Sequence, residues 1–294
     1  MSKTLGFLGF GEASFNIAEG LREEGFDAIR AYDAAWATPP ASELIAERAE
    51  KAGVTLDPSM EALIAASDIV VCSISANAAV PVARAAAPLL RPGQIYVDLN
   101  SAGPDTKVAV EKIVGDVATF VDVAVMGTVP GNRHKVPMLA SGPGAADFAA
   151  FGNGFGMAIT ALEGPTGKAS ASKMFRSIFM KGYVMLLLEA VIAGRSYGIE
   201  EDILASIGKS LKTDDFRATA NDLMCRAVIH AERREHEMDE VVATLNSLGI
   251  DPIMSVAGKE KLAWCVEQGF REHFNGRPPA DFHDIFAALD APAA

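Results

Sequence analysis

Cysteine, aromatic residues and positive charge are all scarce in this chain, and each shortage excludes something. Its 294 residues include three cysteines, Cys72, Cys225 and Cys265, far apart and without a CxxC pair. That spacing offers no zinc knuckle and no dithiol redox site; it suits idle thiols in a reducing compartment, so a cytoplasmic location is expected. Aromatics are 7%, while Ala and Gly are abundant, so close helix packing is expected rather than an aromatic-rich sandwich. Lys and Arg number 26 against 38 Asp and Glu, a formal charge of −12. So acidic a chain is a poor general binder of nucleic acid or of an anionic membrane. No uninterrupted apolar run of about eighteen residues occurs, so no spanning helix is expected. No signal-peptide pattern precedes the first glycine cluster, and there is no internal repeat. Half of the chain is apolar and 22% is charged, a folded composition with enough length for two domains.

The first half alternates two kinds of signal. Short apolar runs at 5–8, 27–32, 68–73, 94–99 and 119–125 are separated by helical stretches at 17–23, 43–51, 80–90 and 107–114. This alternation predicts a parallel sheet covered on both faces by helices. After the turn cluster Gly164-Pro165-Thr166-Gly167 the period changes. Residues 169–195 contain no Pro and two Gly. Their apolar positions recur with helical spacing, which predicts one helix of roughly 27 residues and about 40 Å. Runs such as 184–188 imply that much of it is buried. Further helices are expected at 203–211, 214–231, 238–248 and 253–268, with no strand past Gly164 and a loose tail over 288–294.

The first strand leads into Gly6-Phe7-Leu8-Gly9-Phe10-Gly11-Glu12-Ala13-Ser14. Gly9 and Gly11 fill the first two positions of GxGxxG. The first permits a tight turn; the second lets backbone approach a pyrophosphate over the helix N-terminus, where Glu12 and Ala13 form the first turn. Ser14 takes the third position, where a small residue is needed. The motif alone is a weak signal, and a plain strand–helix turn is the other reading. Its place at the head of a β-α alternation favours a dinucleotide. Asp33, about 20 residues further on, suits a ribose hydroxyl and repels a 2′-phosphate; a turn cap is its other reading. NAD is therefore expected, with NADP as the alternative that Arg30 keeps open. The fold class is α/β: a Rossmann-type doubly wound sheet over 1–163, then an all-α domain over 164–294.

On the long helix Lys173, Ser177 and Lys181 follow at four-residue steps and share one stripe, with Arg176 beside it. Such a stripe is either a solvated basic face or a site for anion binding and proton transfer. Four segments decide in favour of the site. Gly6-Phe7-Leu8-Gly9-Phe10-Gly11 resembles a G-F-I-G-L-G opening, and Asp98-Leu99-Asn100-Ser101-Ala102-Gly103-Pro104 fits D-x-S-T-x-x-P. Asp122-Val123-Ala124-Val125-Met126-Gly127-Thr128 aligns with D-A-P-V-S-G-G. Gly167 through Lys173 to Ser177 fits G-x-G-x-x-x-K-x-x-x-N. In this order and over the first 180 residues or so, they resemble the β-hydroxyacid dehydrogenase family, which includes 3-hydroxyisobutyrate and 6-phosphogluconate dehydrogenases.

The resemblance implies an NAD(P)-dependent oxidoreductase with Lys173 as general acid/base and Ser177 orienting the hydroxyl or the lysine. It implies Ser75 and Asn100 as cofactor contacts, Ser101 beside the nicotinamide, and Met126, Gly127, Thr128 and Lys181 on the substrate side. The departures are Met126 for the family's Ser, Thr128 for Gly, Ala169 for Gly and Ser177 for Asn. They point to a less characterised branch with its own C-terminal domain, whose substrate does not carry over. A small, anionic hydroxy acid or its oxo form is expected, with Arg217 and the run Arg133-His134-Lys135 as further carboxylate binders. Asp122 reads as a structural strand-end residue. His230 and His236 lack the third ligand that a metal site requires. A helix of about 40 Å exceeds what one small helical domain needs to cover it, so a homodimer through the C-terminal halves is expected, with the cofactor domains outermost. Two alternatives remain: an imine reductase, a group that shares the architecture but generally lacks lysine at this position, and a non-catalytic dinucleotide sensor, which would not need Lys173.

Overall fold

The fold is described from a computed structural model covering residues 3–290. Its first compact unit ends at Ile178 and its second begins at Phe179. The first is built on one eight-stranded sheet of order β3-β2-β1-β4-β5-β6-β7-β8. The strands are β1 (Leu5–Leu8), β2 (Ile29–Tyr32), β3 (Thr55–Leu56), β4 (Ile69–Cys72), β5 (Ile95–Asp98), β6 (Thr119–Val125), β7 (Pro137–Ser141) and β8 (Ala158–Ala161). The helices of this unit are α1 (Glu12–Glu23), α2 (Ala41–Ala52), α3 (Met60–Ala66), α4 (Ala79–Ala86), α5 (Pro104–Val114), the single turn α6 (Val129–Asn132) and α7 (Ala145–Asn153).

Period-2 geometry explains why the central strands are apolar throughout. Leu5, Phe7, Ile69, Val71, Ile95 and Val97 enter one core. Leu8, Val70, Cys72 and Tyr96, one residue out of phase, enter the other. Both faces are covered, so neither set of side chains is left to water. The expected parallel sheet needs one correction: β7 pairs antiparallel with β6, Asp122 opposite Ser141, and β8 runs parallel to β7. The sheet is therefore mixed. The chain order reverses at β1, whose neighbours are β2 and β4, and this makes the topological switch point where ligands bind in open α/β sheets.

The helix α8 (Lys168–Arg195) spans 28 residues, and its first turns belong to the sheet unit. Asp122, midway along β6 and not at the strand end expected from the sequence, accepts hydrogen bonds from the Gly167 and Ser170 N–H groups, both at 3.1 Å, and from Ser170 Oγ at 2.5 Å. Ser141 Oγ accepts from the Ala169 N–H at 3.0 Å. A buried carboxylate at a helix N-terminus satisfies orphan donors and opposes the positive end of the helix dipole.

The second unit contains the rest of α8 with α9 (Glu200–Leu211), α10 (Phe216–Ile229), α11 (Ala231–Ser247), α12 (Ile253–Glu267), α13 (Phe270–His273) and α14 (Phe282–Asp290). Its core is small: Cys225, Val228, Ile229, Ala231, Cys265, Phe270 and Ile285 are buried together. Glu189 of α8 accepts from the N–H groups of Met254 and Ser255 at 2.8 and 2.9 Å and from Ser255 Oγ, closing the N-terminus of α12. Of the tail expected to be loose, 288–290 complete α14, and 291–294 lie outside the described residues.

Two readings of α8 change. It is not buried within the chain: Phe175 is 66% exposed, Ile178 73%, and Val184, Met185, Leu186 and Leu188 are exposed as well. By length and composition alone it is also long and apolar enough to cross a membrane. Lys181 and Glu189 interrupt the apolar run without removing that character, which is why a search for an unbroken run misses it.

Candidate active site

The C-terminal ends of β1, β4, β5 and β6 converge on one cleft of about 410 Å³. Among its walls are Ala13 from the glycine loop and α1, Ser73-Ile74-Ser75 after β4, Asn100 and Ser101 after β5, Gly127 after β6, and Lys173 of α8. The four motif segments lie far apart in sequence. Their meeting here follows from parallel register, which brings every strand of the set to the same edge.

The glycine loop has two kinds of glycine. Gly9 has φ +88°, and a Cβ on it would lie 2.4 Å from the Ser73 carbonyl oxygen, so both conformation and space exclude a side chain. Gly11 is the N-cap of α1 with φ −75°, and a Cβ there would meet nothing within 4 Å. The space above it, at a helix N-terminus with no side-chain cap, fits a pyrophosphate. Ser14 repays its substitution for the third small residue with a hydrogen bond, Oγ to the Gly9 carbonyl at 2.7 Å, fully buried. Glu12 occupies the first turn of α1.

Asp33 follows β2, and its two carboxylate oxygens serve backbone donors. Oδ2 accepts from the Phe10 N–H at 2.8 Å and Oδ1 from the Ala35 N–H at 2.9 Å. The carboxylate thus caps the short 3₁₀ turn Ala34–Ala37 and holds the glycine loop. Arg30 is turned away from it and pairs with Asp57 in a two-pronged bridge, whose hydrogen bonds hold the guanidinium above its ordinary range.

On the β5 side of the cleft, Asn100 is buried and its side chain is committed. Its Oδ1 accepts from the Ile74 N–H at 2.6 Å, and its Nδ2 faces Cys72 Sγ at 3.5 Å. Burial pushes the Cys72 thiol up to about 11, so it stays protonated. Lys173 donates from Nζ to Ser101 Oγ at 2.9 Å. Ser101 is exposed and Lys173 half-buried, so this ammonium–hydroxyl pair lies open to the cleft. The arrangement can present a proton donor and a hydroxyl relay to a bound oxygen.

Other expected site residues lie elsewhere. Ser177 Oγ donates to the Lys173 carbonyl at 3.0 Å, the usual back-bond of a helical serine; it supports the helix backbone and does not orient the amine. Met126 and Thr128 flank the lining residue Gly127 without lining the cleft themselves. Lys181 is exposed, in the second unit. The run Arg133-His134-Lys135 is not a carboxylate binder of this cleft. Arg133 pairs with Glu19 and Glu23, Lys135 pairs with Glu24 at 2.7 Å, and His134 is buried against α1. Arg217 pairs with Asp281 at 3.1 Å and sits over the Phe282 ring. Sequence reasoning missed Ser73 and Ile74, which carry no motif signal. It also missed Lys107, a lysine on an amphipathic helix that the fold buries completely.

Sheet and glycine loop form an NAD(P)-binding fold of the oxidoreductase type. Comparison with known proteins agrees. Residues 4–102 match the family model described as NADP oxidoreductase, coenzyme F420-dependent, and residues 195–265 match a domain of unknown function (DUF1932). A conserved hypothetical protein from Sinorhizobium meliloti 1021 is 36% identical, over 90% of this chain and 88% of that one, with a TM-score of 0.64. The conserved protein MTH1747, described as structurally similar to 3-hydroxyacid dehydrogenases, is 30% identical over 91% of this chain and 98% of its own, with a TM-score of 0.62. An imine reductase from Aspergillus terreus shares the fold at 18% identity, over 95% and 97% of the two chains, with a TM-score of 0.76. The chain belongs to the 3-hydroxyacid dehydrogenase-like family, in the branch whose C-terminal part is that domain of unknown function.

Proposed function

We propose that the protein transfers a hydride between NAD(P) and a small anionic hydroxy acid, or its oxo form, with Lys173 moving the proton. The observation that carries this reading is the Lys173–Ser101 pair, at 2.9 Å, in the wall of the cleft that also holds the glycine loop. Bound in that cleft, the nicotinamide supplies or accepts the hydride. The chain's own part is the proton. As the alcohol carbon loses its hydride, the hydroxyl proton passes to the Lys173 amine; in reduction the ammonium returns it to the carbonyl oxygen. An ordinary lysine, near 10.4, is charged at neutral pH, and this suits the donor role in reduction. Ser101, hydrogen-bonded to Nζ, fixes the direction of that donor. The matched family model favours NADP, whereas the turn after β2 offers Asp33 and no cation over 33–38.

The test is titration of NADH and NADPH, followed by turnover with a panel of hydroxy acids, oxo acids and imines. Lys173→Ala is expected to lower kcat by roughly 100-fold or more while dinucleotide affinity stays within about twofold. Lys173→Arg does not restore turnover, because a guanidinium does not release its proton near neutral pH. Full turnover by Lys173→Ala overturns the mechanism. Reduction of imines alone would favour the imine reductase reading instead. The proposed assembly is a homodimer through the exposed apolar residues of α8.

A further inference from the structure

Beneath the cleft lies a group of charges that the proposed chemistry does not use. Lys107, on α5, is completely buried. Its Nζ donates to the Asp98 carbonyl oxygen at 2.7 Å and to Asp98 Oδ1 at 2.9 Å, and lies 3.4 Å from Asp122 Oδ1. Asp98 and Asp122 are buried as well. They stand opposite each other in register, one closing β5 and the other midway along β6. Lone charges are costly in an interior and persist there only when paired and hydrogen-bonded.

Each carboxylate leads to one member of the Lys173–Ser101 pair. Asp98 Oδ1 also accepts from the Asn100 N–H at 2.8 Å, and so sets the backbone turn from which Ser101 projects. Asp122 gathers the Gly167 N–H, the Ser170 N–H and the Ser170 hydroxyl, and so sets the start of the helix that carries Lys173 one turn further on. The single ammonium of Lys107 bridges the two.

We propose that Lys107 is a positioning residue: by tying Asp98 to Asp122 it sets the distance and direction between Lys173 and Ser101. This rests on the reading of Lys173 as the proton-transfer group, but its test does not depend on turnover alone. A lysine that served only stability would alter melting and leave the geometry of the pair intact below the transition.

The experiment uses the full chain with its accessible lysines reductively dimethylated with ¹³C-formaldehyde and a borane or cyanoborohydride reductant. The Lys173 resonance is identified by its absence from Lys173→Arg, and Ser101→Ala supplies the reference position for an amine that lacks the Ser101 hydrogen bond. Lys107→Met is expected to move the Lys173 resonance to that reference position. In the unlabelled protein it is expected to lower kcat roughly 10- to 100-fold, as misplacement of reacting groups does, with the dinucleotide Kd within about twofold. Where Lys107→Met does not fold, Ser170→Ala, which removes one donor to Asp122, is expected to move the resonance in the same direction. A folded variant with the Lys173 resonance and kcat both unchanged overturns the proposal. If Lys173→Ala itself retains turnover, the reading of Lys173 fails, while the resonance still decides whether Lys107 positions it.

Discussion

At Gly9 and Gly11 one motif separates into two physical demands. Gly9→Ala forces a side chain against the Ser73 carbonyl at a positive φ, so the expected outcome is loss of stability, read as a lower Tm. Gly11→Val meets open space, so the protein is expected to stay folded by circular dichroism and to lose dinucleotide binding, because the branched side chain fills the pyrophosphate space. Wild-type dinucleotide affinity in folded Gly11→Val would remove the glycine-loop assignment. Asp33 makes a subtler case. Its charge repels a 2′-phosphate, and its hydrogen bond holds Phe10. Asp33→Ser is expected to raise the NADP-to-NAD affinity ratio by about tenfold, equivalent to about 1.4 kcal/mol, while weakening both. Parallel titrations check this; an unchanged ratio would mean that the carboxylate serves the loop alone. GxGxx and the acidic residue after β2 were legible in the sequence. That Asp33 points into the loop was not, because rotamer and partner depend on how the 3₁₀ turn folds back.

Between elements, the turn that follows α6 and helix α1 are held together by an unusual contact. His134 packs on Gly20, where a Cβ would come within 2.0 Å of Nδ1, and both ring nitrogens are buried without a hydrogen-bond partner. Burial, and then the neighbouring Lys135 charge, lower the His134 pKa, against a smaller opposing pull from Glu24 and Glu23. The unfolded chain therefore binds a proton more readily than the folded one. The stability of this contact is complete above about pH 6.5 and is lost as pH falls from there through the lowered folded value. Melting between pH 7.5 and 5 should show a fall of a few degrees in the wild type beyond that in His134→Gln; equal falls would exclude the contact as the cause. In sequence, Arg133-His134-Lys135 looked like a binding run, since nothing local shows that Glu19, Glu23 and Glu24 of α1 face it. The missed elements have a similar cause. β3 has two residues, and the antiparallel turn of β7 onto β6 is a pairing choice rather than a local pattern.

For the molecule as a whole, the exposed apolar surface of α8 and the small core of the second unit describe helices that have buried too little for a free chain. Phe175, Ile178, Phe179 and Leu188 are each more than half exposed. A second copy of the chain is the expected cover, so sedimentation at micromolar concentration is expected to give a dimer, and Ile178→Glu with Leu188→Glu a monomer of lower Tm. A wild-type monomer at that concentration would exclude this assembly. The alternation of β1, β2, β4, β5 and β6 with helices, the glycine loop and the lysine on its long helix could be read from the sequence alone, whereas β3, β7 and β8 could not. The legible features rest on local periodicity, glycine's freedom and a one-dimensional order of motifs. Tertiary structure alone decided that Lys173 meets Ser101, that Lys107 is buried between Asp98 and Asp122, and that Arg30 belongs to Asp57. Each of these is a partnership across the fold, and a side chain's charge and reach define what it can bind without saying which strand end the sheet brings to it.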